Sequence, residues 1–196
     1  MIPNEIESRR LHEKYAWNDE LLQDVYLHCE ITAEIALECV KAKNLHVDER
    51  VLYSACLLHD IGSYIFLTTN EKKRSVYPQH AMFGATILRE EGVDERICQA
   101  VQTHVLLGLT PDEIKDKGVV LPHKNFEPTT IEGRLLCYAD RFSSKGDGVV
   151  LNSYETFLAK LKKDLPKQAE KFEAWANEFG LPDVQALAKK HTLLIV

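Results

Sequence analysis

Long apolar runs are missing from this chain. No stretch approaches the roughly eighteen consecutive apolar residues of a membrane span, and the opening MIPNEIESRRLHEKYAW lacks the apolar core of a signal peptide. The expectation is a cytoplasmic protein without a membrane partner. Surplus positive charge is missing as well: a net charge of −6 and a pI near 5.8 argue against polymeric nucleic acid or an anionic membrane as partner, because both reward a basic surface. The five cysteines (Cys29, Cys39, Cys56, Cys98, Cys137) show no CxxC spacing and several lie in apolar stretches, so they read as reduced, buried thiols. No internal repeat, low-complexity tract or linker divides the sequence, and regular strand alternation is hard to find. An all-α helical bundle, one domain over residues 1–196, is the class that remains. With 45% hydrophobic and 28% charged residues, the 196-residue chain can build one good core.

What is present is helical punctuation. Asp19 can cap a long helix carrying Leu21, Leu22, Val25, His28, Cys29, Thr32, Ile35 and Ala36 and ending near Asn44. Asp48 opens a second helix through Leu58 and His59, which Gly62 is placed to stop in the left-handed conformation. Residues 63–77 read as a loop. Pro78 fits the first turn of a helix holding His80, Gly84, Ile87 and Leu88, and Asp94 caps the next, through Ile97, Val101 and His104. Thr110-Pro111 starts a short helix, residues 118–130 form a turn-rich connection, and Thr129 with Glu132 resembles a capping box for a helix reaching Asp140. Beyond the Gly146-Asp147-Gly148 break, amphipathic helices are expected near 153–164, 167–179 and 182–191.

The chemistry lies in an ordered set: His28, then His59-Asp60, His80, His104 and Asp140. Helical offsets place His28 with Leu21, Val25 and Ile35, His80 with Gly84 and Ile87, His104 with Ile97 and Val101, and Asp140 with Gly133 and Leu136, all on inward faces. A single buried histidine is ordinarily a satisfied core residue. Several converging imidazoles with two carboxylates are different, because burying them without a cation or matching donors costs on the order of several kcal/mol per unpaired ion. Mixed nitrogen and oxygen donors suit a divalent metal.

The residues His28, His59-Asp60 and Asp140, with HDIG as the doublet, resemble the H…HD…D signature of HD-domain phosphohydrolases over about residues 20–145. The added His80 and His104 resemble small bacterial and archaeal HDIG hydrolases, including the YqeK-like diadenosine tetraphosphatases. That resemblance implies an HD-type helical bundle with a C-terminal helical extension over about 150–196. It implies a divalent ion (Fe, Mn, Ni, Co, Mg or Zn) held by His28, His59, Asp60 and Asp140, with a position left for water and phosphate oxygen. Asp60, His80 and His104 become the catalytic candidates. In some HD proteins the equivalents of His80 and His104 bind a second metal bridged by Asp60; in mononuclear members they contact the phosphate or protonate the leaving group, and the sequence leaves both open.

The implied activity is cleavage of a phosphoester or phosphoanhydride in a small phosphorylated molecule, a nucleotide or dinucleoside polyphosphate. The alternative is a catalytically silent, metal-containing binding or regulatory module, which the absence of an acidic residue in Gly62, Ser63, Tyr64, Ile65 permits. Lys72, Lys73, Arg74 and Lys145 are candidates to neutralise substrate phosphate; Ser144 is within reach of the same place, and Arg141 reads as a salt-bridge partner beside the ligand helix. His123 sits in a loop long enough for a lid but reads as exposed, and His12, His46 and His191 as surface residues. Trp175 and Phe179, four apart, read as packing. The C-terminal helices are open to shaping a pocket, supporting a homodimer or closing the core.

Overall fold

The computed structural model describes residues 1–67, 76–146 and 148–196. A capping box formed by Asn4 and Glu7 starts α1 (Glu5–Tyr15), an N-terminal helix that the sequence reading did not assign. The long helix α2 (Asp19–Lys43) is capped by Asn18 rather than Asp19, the Asn18 side chain accepting from the Leu21 amide, and it ends at Asn44 in the left-handed region. Asp48 caps α3 (Glu49–Leu58), as its position suggests.

Gly62 is not a left-handed stop. It lies in a 3₁₀ turn, Ile61–Ile65, that continues directly from the end of α3, so the segment from Ser63 opens as a buried turn rather than a loop. A second 3₁₀ turn, Tyr77–Gln79, leads into α4 (His80–Glu90), and Asp94 caps α5 (Glu95–Thr103). Thr110 and Glu113 box the start of α6 (Pro111–Asp116). The cap of α7 (Ile131–Ala139) is Thr130, not Thr129: its hydroxyl accepts from the Gly133 amide, while Glu132 turns away to the Asp48 amide.

Strands exist after all. β1 (Ser143–Gly146) and β2 (Gly148–Leu151) pair antiparallel around the expected glycine break, with Ser144 opposite Val150. Four residues per strand are too few for alternation to stand out in the sequence. Helices α8 (Tyr154–Asp164), α9 (Pro166–Phe179) and α10 (Val184–His191) follow the amphipathic pattern closely. The fold is therefore an all-helical one with a single small hairpin among the described residues.

Packing centres on α2, which contacts α3, α7, α9 and the hairpin. Its inward stripe of Val25, Cys29, Ile35 and Ala36 is fully buried; Val25 and Ile35 each contribute about 1.5–3 kcal/mol on leaving water. All five cysteines are free and buried, and Trp175 and Phe179 pack in the core with ring centroids 6.1 Å apart. A smaller apolar cluster of Leu109, Ile114, Leu121 and Phe126 sits apart, with Met82 against it. Among the described residues no helix is long and apolar enough to cross a membrane.

His12 corrects the sequence reading. It is completely buried rather than on the surface, and its Nε2 donates to the Leu57 carbonyl at 2.8 Å while Nδ1 accepts from the Tyr64 hydroxyl at 2.8 Å. Helix α1 is pinned to the bundle through this ring, and burial pushes its pKa down to about 3. His191 is half-buried and pairs with Glu34 at 3.1 Å, whereas His46 and His123 are exposed.

Candidate metal centre

Six side chains from five helices meet at one point. His28 is in the middle of α2; the other five stand where helices begin or end. His59 caps the C-terminus of α3, Asp60 follows it, His80 opens α4, His104 caps α5 and Asp140 caps α7. All six are buried, the most exposed being Asp140 at 7%. Helix ends suit this task because the chain can turn a side chain across the helix axis toward a point that several elements share.

Backbone carbonyls set the histidine tautomers. Nδ1 of His59, His80 and His104 each faces the carbonyl three residues earlier, Cys56 at 2.7 Å, Tyr77 at 2.6 Å and Val101 at 2.6 Å. A carbonyl only accepts, so each Nδ1 carries the proton and each Nε2 presents a lone pair inward. His28 Nδ1 lies 2.9 Å from the Ser143 hydroxyl, leaving its Nε2 toward the same centre. Burial holds the pKa of His28 and His104 well below the ordinary value and that of His80 down to about 4, so these rings are neutral near pH 7.

Asp60 faces both halves of the cluster. Its Oδ2 lies 3.3 Å from His28 Nε2 and 3.4 Å from His59 Nε2; its Oδ1 lies 3.1 Å from His80 Nε2 and 3.8 Å from His104 Nε2. Asp140 Oδ1 is 3.0 Å from His28 Nε2 and 3.5 Å from His59 Nε2. Within each half the lone pairs confront one another, His28 and His59 Nε2 at 3.1 Å and His80 and His104 Nε2 at 2.8 Å. Neutral nitrogens and carboxylate oxygens held this closely are mutually compatible around a cation. Three overlapping sets could hold one: His28, His59 and Asp60; His59, His104 and Asp140; and Asp60, His80 and His104.

Two cationic side chains flank the carboxylates. The Lys145 ammonium contacts Asp60 Oδ2 and the Arg141 guanidinium contacts Asp140 Oδ2, the ion pair that its position beside the ligand helix suggests. Burial pushes Lys145 down to about 8 and Arg141 to about 10. Ser144 turns away toward Asn152. Lys72, Lys73 and Arg74 lie outside the described residues.

Supporting residues were invisible to sequence reasoning. Ser63 donates to Asp60 Oδ1 at 2.8 Å and accepts from the Tyr77 hydroxyl at 3.0 Å, and the Tyr77 ring stacks on His80 at 4.5 Å between centroids. Ser143 orients His28. The one available signal was spacing: Ser63 follows Asp60 by three residues, Ser143 follows Asp140 by three, and Tyr77 precedes His80 by three.

Comparison with known proteins agrees with this geometry. The family model described as HD domain matches residues 25–145. The chain belongs to the HD-domain family. Its reaction class is that of metal-dependent phosphohydrolases, and the buried His/Asp cluster fits the divalent metal that HD domains bind.

An uncharacterized protein of Methanocaldococcus jannaschii is 32% identical over 145 residues, covering 70% of this HD-domain chain and 79% of that one. A tRNA (cytidine(56)-2'-O)-methyltransferase of Thermoplasma volcanium is 32% identical over 140 residues, and ribonuclease Y of Acidothermus cellulolyticus 28% over 159. The chain spans only 36% and 27% of those two proteins. Among solved structures, the HD domain of the L. monocytogenes phosphodiesterase PgpH superposes with a TM-score of 0.55 at 13% identity, covering 94% of this chain and 98% of that one. Its complex with cyclic-di-AMP gives 0.52 at 15%, covering 92% and 91%.

Proposed function

We propose that this HD-domain protein hydrolyses a phosphoester or phosphoanhydride of a small nucleotide, using two divalent ions that share Asp60. The observation that carries the reading is the division of Asp60 between two imidazole pairs, one oxygen toward His28 and His59 and the other toward His80 and His104. In this reading His28, His59, Asp60 and Asp140 would hold one ion, and Asp60, His80 and His104 would hold the other. Imidazole-rich donors favour first-row transition ions such as Fe, Mn, Co, Ni or Zn over Mg. Bound there, such ions would supply Lewis acidity toward a phosphoryl oxygen and a water acidic enough to attack near neutral pH.

The chain's own residues do the rest. The backbone carbonyls of Cys56, Tyr77 and Val101 keep three Nδ1 protons in place, so that His59, His80 and His104 offer a lone pair without reorganisation. Ser63 fixes the rotation of the Asp60 carboxylate. Lys145 and Arg141 supply positive charge beside the carboxylates, and Lys145 is assigned to the substrate phosphate. The nucleotide class draws support from the PgpH HD domain, which is in complex with cyclic-di-AMP. The net charge of −6 favours a small nucleotide over a polymer.

The test is chromatographic detection of hydrolysis products by metal-depleted protein reloaded with Mn²⁺, Fe²⁺, Co²⁺ or Ni²⁺, against mononucleotides, dinucleoside polyphosphates, cyclic dinucleotides, a short RNA and p-nitrophenyl phosphate. Metal-dependent turnover of a small nucleotide is expected. No turnover on any substrate would favour a silent binding module, and preference for the RNA would overturn the small-nucleotide assignment.

A further inference from the structure

An apolar cavity of about 320 Å³ opens between α4 and the segment following α6. One wall runs along α4: Gln79, the residue just before its first turn, and Met82, Phe83 and Thr86 within it stand at offsets of three, four and seven, beside the stripe that carries His80. Val120 and Pro122 form the other wall, and the buried Leu121 belongs to the small apolar cluster underneath. Phe83 and Val120 are 43% and 49% exposed, so large apolar surface faces the opening from both sides. The volume sits at the lower end of the roughly 300–1,000 Å³ usual for small-molecule sites, enough for a flat ring system but not for a large ligand.

Three features select the occupant. The Phe83 ring offers a face for stacking. The Gln79 amide has no side-chain hydrogen bond among the described residues, and it pairs a donor with an acceptor, the complement of a base edge. The cavity also neighbours the metal centre: Gln79 in its wall is adjacent in sequence to His80, and the rings of Phe83, Phe66, Tyr77 and His80 pack in succession with centroids 5.7, 6.2 and 4.5 Å apart. A ligand with phosphate at the metal centre and an apolar, edge-polar ring at its other end suits this proximity.

We propose that this cavity is a nucleobase subsite, with the base stacked on Phe83 and its edge read by Gln79 while the phosphate lies against the His80 side of the metal centre. The assignment rests on the small-nucleotide reading above. It also makes the enzyme selective for nucleotides over phosphoesters without a base.

Calorimetric titration of the Mn²⁺-loaded protein with AMP, GMP, UMP and ribose 5-phosphate tests the subsite without requiring turnover. The tightest nucleotide should bind roughly fivefold or more better than ribose 5-phosphate, the contribution of one base–aromatic stack. Phe83→Ala and Val120→Trp, which act from opposite walls, should each move that ratio toward one; Gln79→Leu should alter the preference among the three bases. Thermal melts identify any variant that fails to fold, and the other wall's variant then decides. A wild-type ratio near one, absence of binding by all four ligands, or a ratio unchanged in both wall variants would overturn the subsite. Failure of turnover with an intact binding ratio would instead strike the hydrolase reading alone, and nucleotide turnover with a ratio near one would strike the subsite alone.

Discussion

Replacing Gly62 by alanine should damage the metal centre without touching any candidate ligand. A Cβ at this position would stand 2.1 Å from the His80 carbonyl oxygen, 2.5 Å from the Gly84 nitrogen and 2.9 Å from the Gly84 Cα. All three are backbone atoms, so no side chain can swing aside. Restoring an ordinary 3.4 Å contact requires the start of α4 to move about 1.3 Å away from the 3₁₀ turn. His80 travels with it, and His80 Nε2 now sits 3.1 Å from Asp60 Oδ1. Metal sites tolerate ligand displacements of only about 0.2 Å, so the Asp60–His80–His104 set should lose its ion.

Overpacking of this kind costs roughly 1–3 kcal/mol, which in a chain of this size lowers Tm by about 2–12 °C. A misplacement near 1 Å also costs on the order of 10²-fold in rate. Circular dichroism melts of metal-free protein, elemental analysis and a turnover assay read the three effects separately. Gly84→Ala is the internal control: its nearest contacts, 3.2 Å to the Gly62 nitrogen and 3.4 Å to a Val101 methyl, need only tenths of an ångström of adjustment. A Gly62→Ala protein with wild-type Tm and full metal content would refute the close-approach argument.

Asp60→Ala should abolish activity and remove most of the metal, because it deletes the carboxylate shared by both halves of the cluster; full metal by elemental analysis would contradict this. His104→Ala should cost about half the bound metal if two ions share Asp60, and unchanged stoichiometry would point to a single ion. Lys145→Met should lower kcat/KM at least about tenfold, the scale of one lost charge-assisted contact, while metal content stays at the wild-type level; loss of metal instead would make Lys145 a support of the ligand set. His12 predicts a pH effect on stability. Its folded pKa near 3 lies below the ordinary 6.5, so the unfolded chain takes up a proton that the folded one refuses as pH falls from 6.5 toward 3. Stability should therefore decline in that window by up to about 1.4 kcal/mol per pH unit and be flat in this group above it. Urea unfolding of His12→Phe in EDTA should show a lower stability at pH 7 but a shallower decline toward pH 4.5; parallel slopes would count against the assignment.

Much of the fold was legible. Local rules placed most helices, since caps such as Asp48, Asp94 and Thr110 and the 3.6-residue apolar period act within a few residues. Errors arose where neighbours compete. Asn18 outbids Asp19 as a cap and Thr130 outbids Thr129, because each winner directly precedes the first helical residue, with its side chain accepting from the amide three positions on. The short hairpin escaped notice because four-residue strands carry too little pattern.

The sequence by itself determined which donors are available and in what order: His28, His59-Asp60, His80, His104 and Asp140, on helices whose periodicity turns them inward. Only the tertiary structure decided that Asp60 divides its two oxygens between imidazole pairs, that His12 is a buried peg rather than a surface residue, and that Gly62 is required by the approach of α4. Helical periodicity is a property of neighbouring residues and is written along the chain. Which helix end meets which, at separations of a few ångströms, depends on packing between residues far apart in the chain, such as His28 and Ser143, 115 positions apart, and no local pattern carries that information.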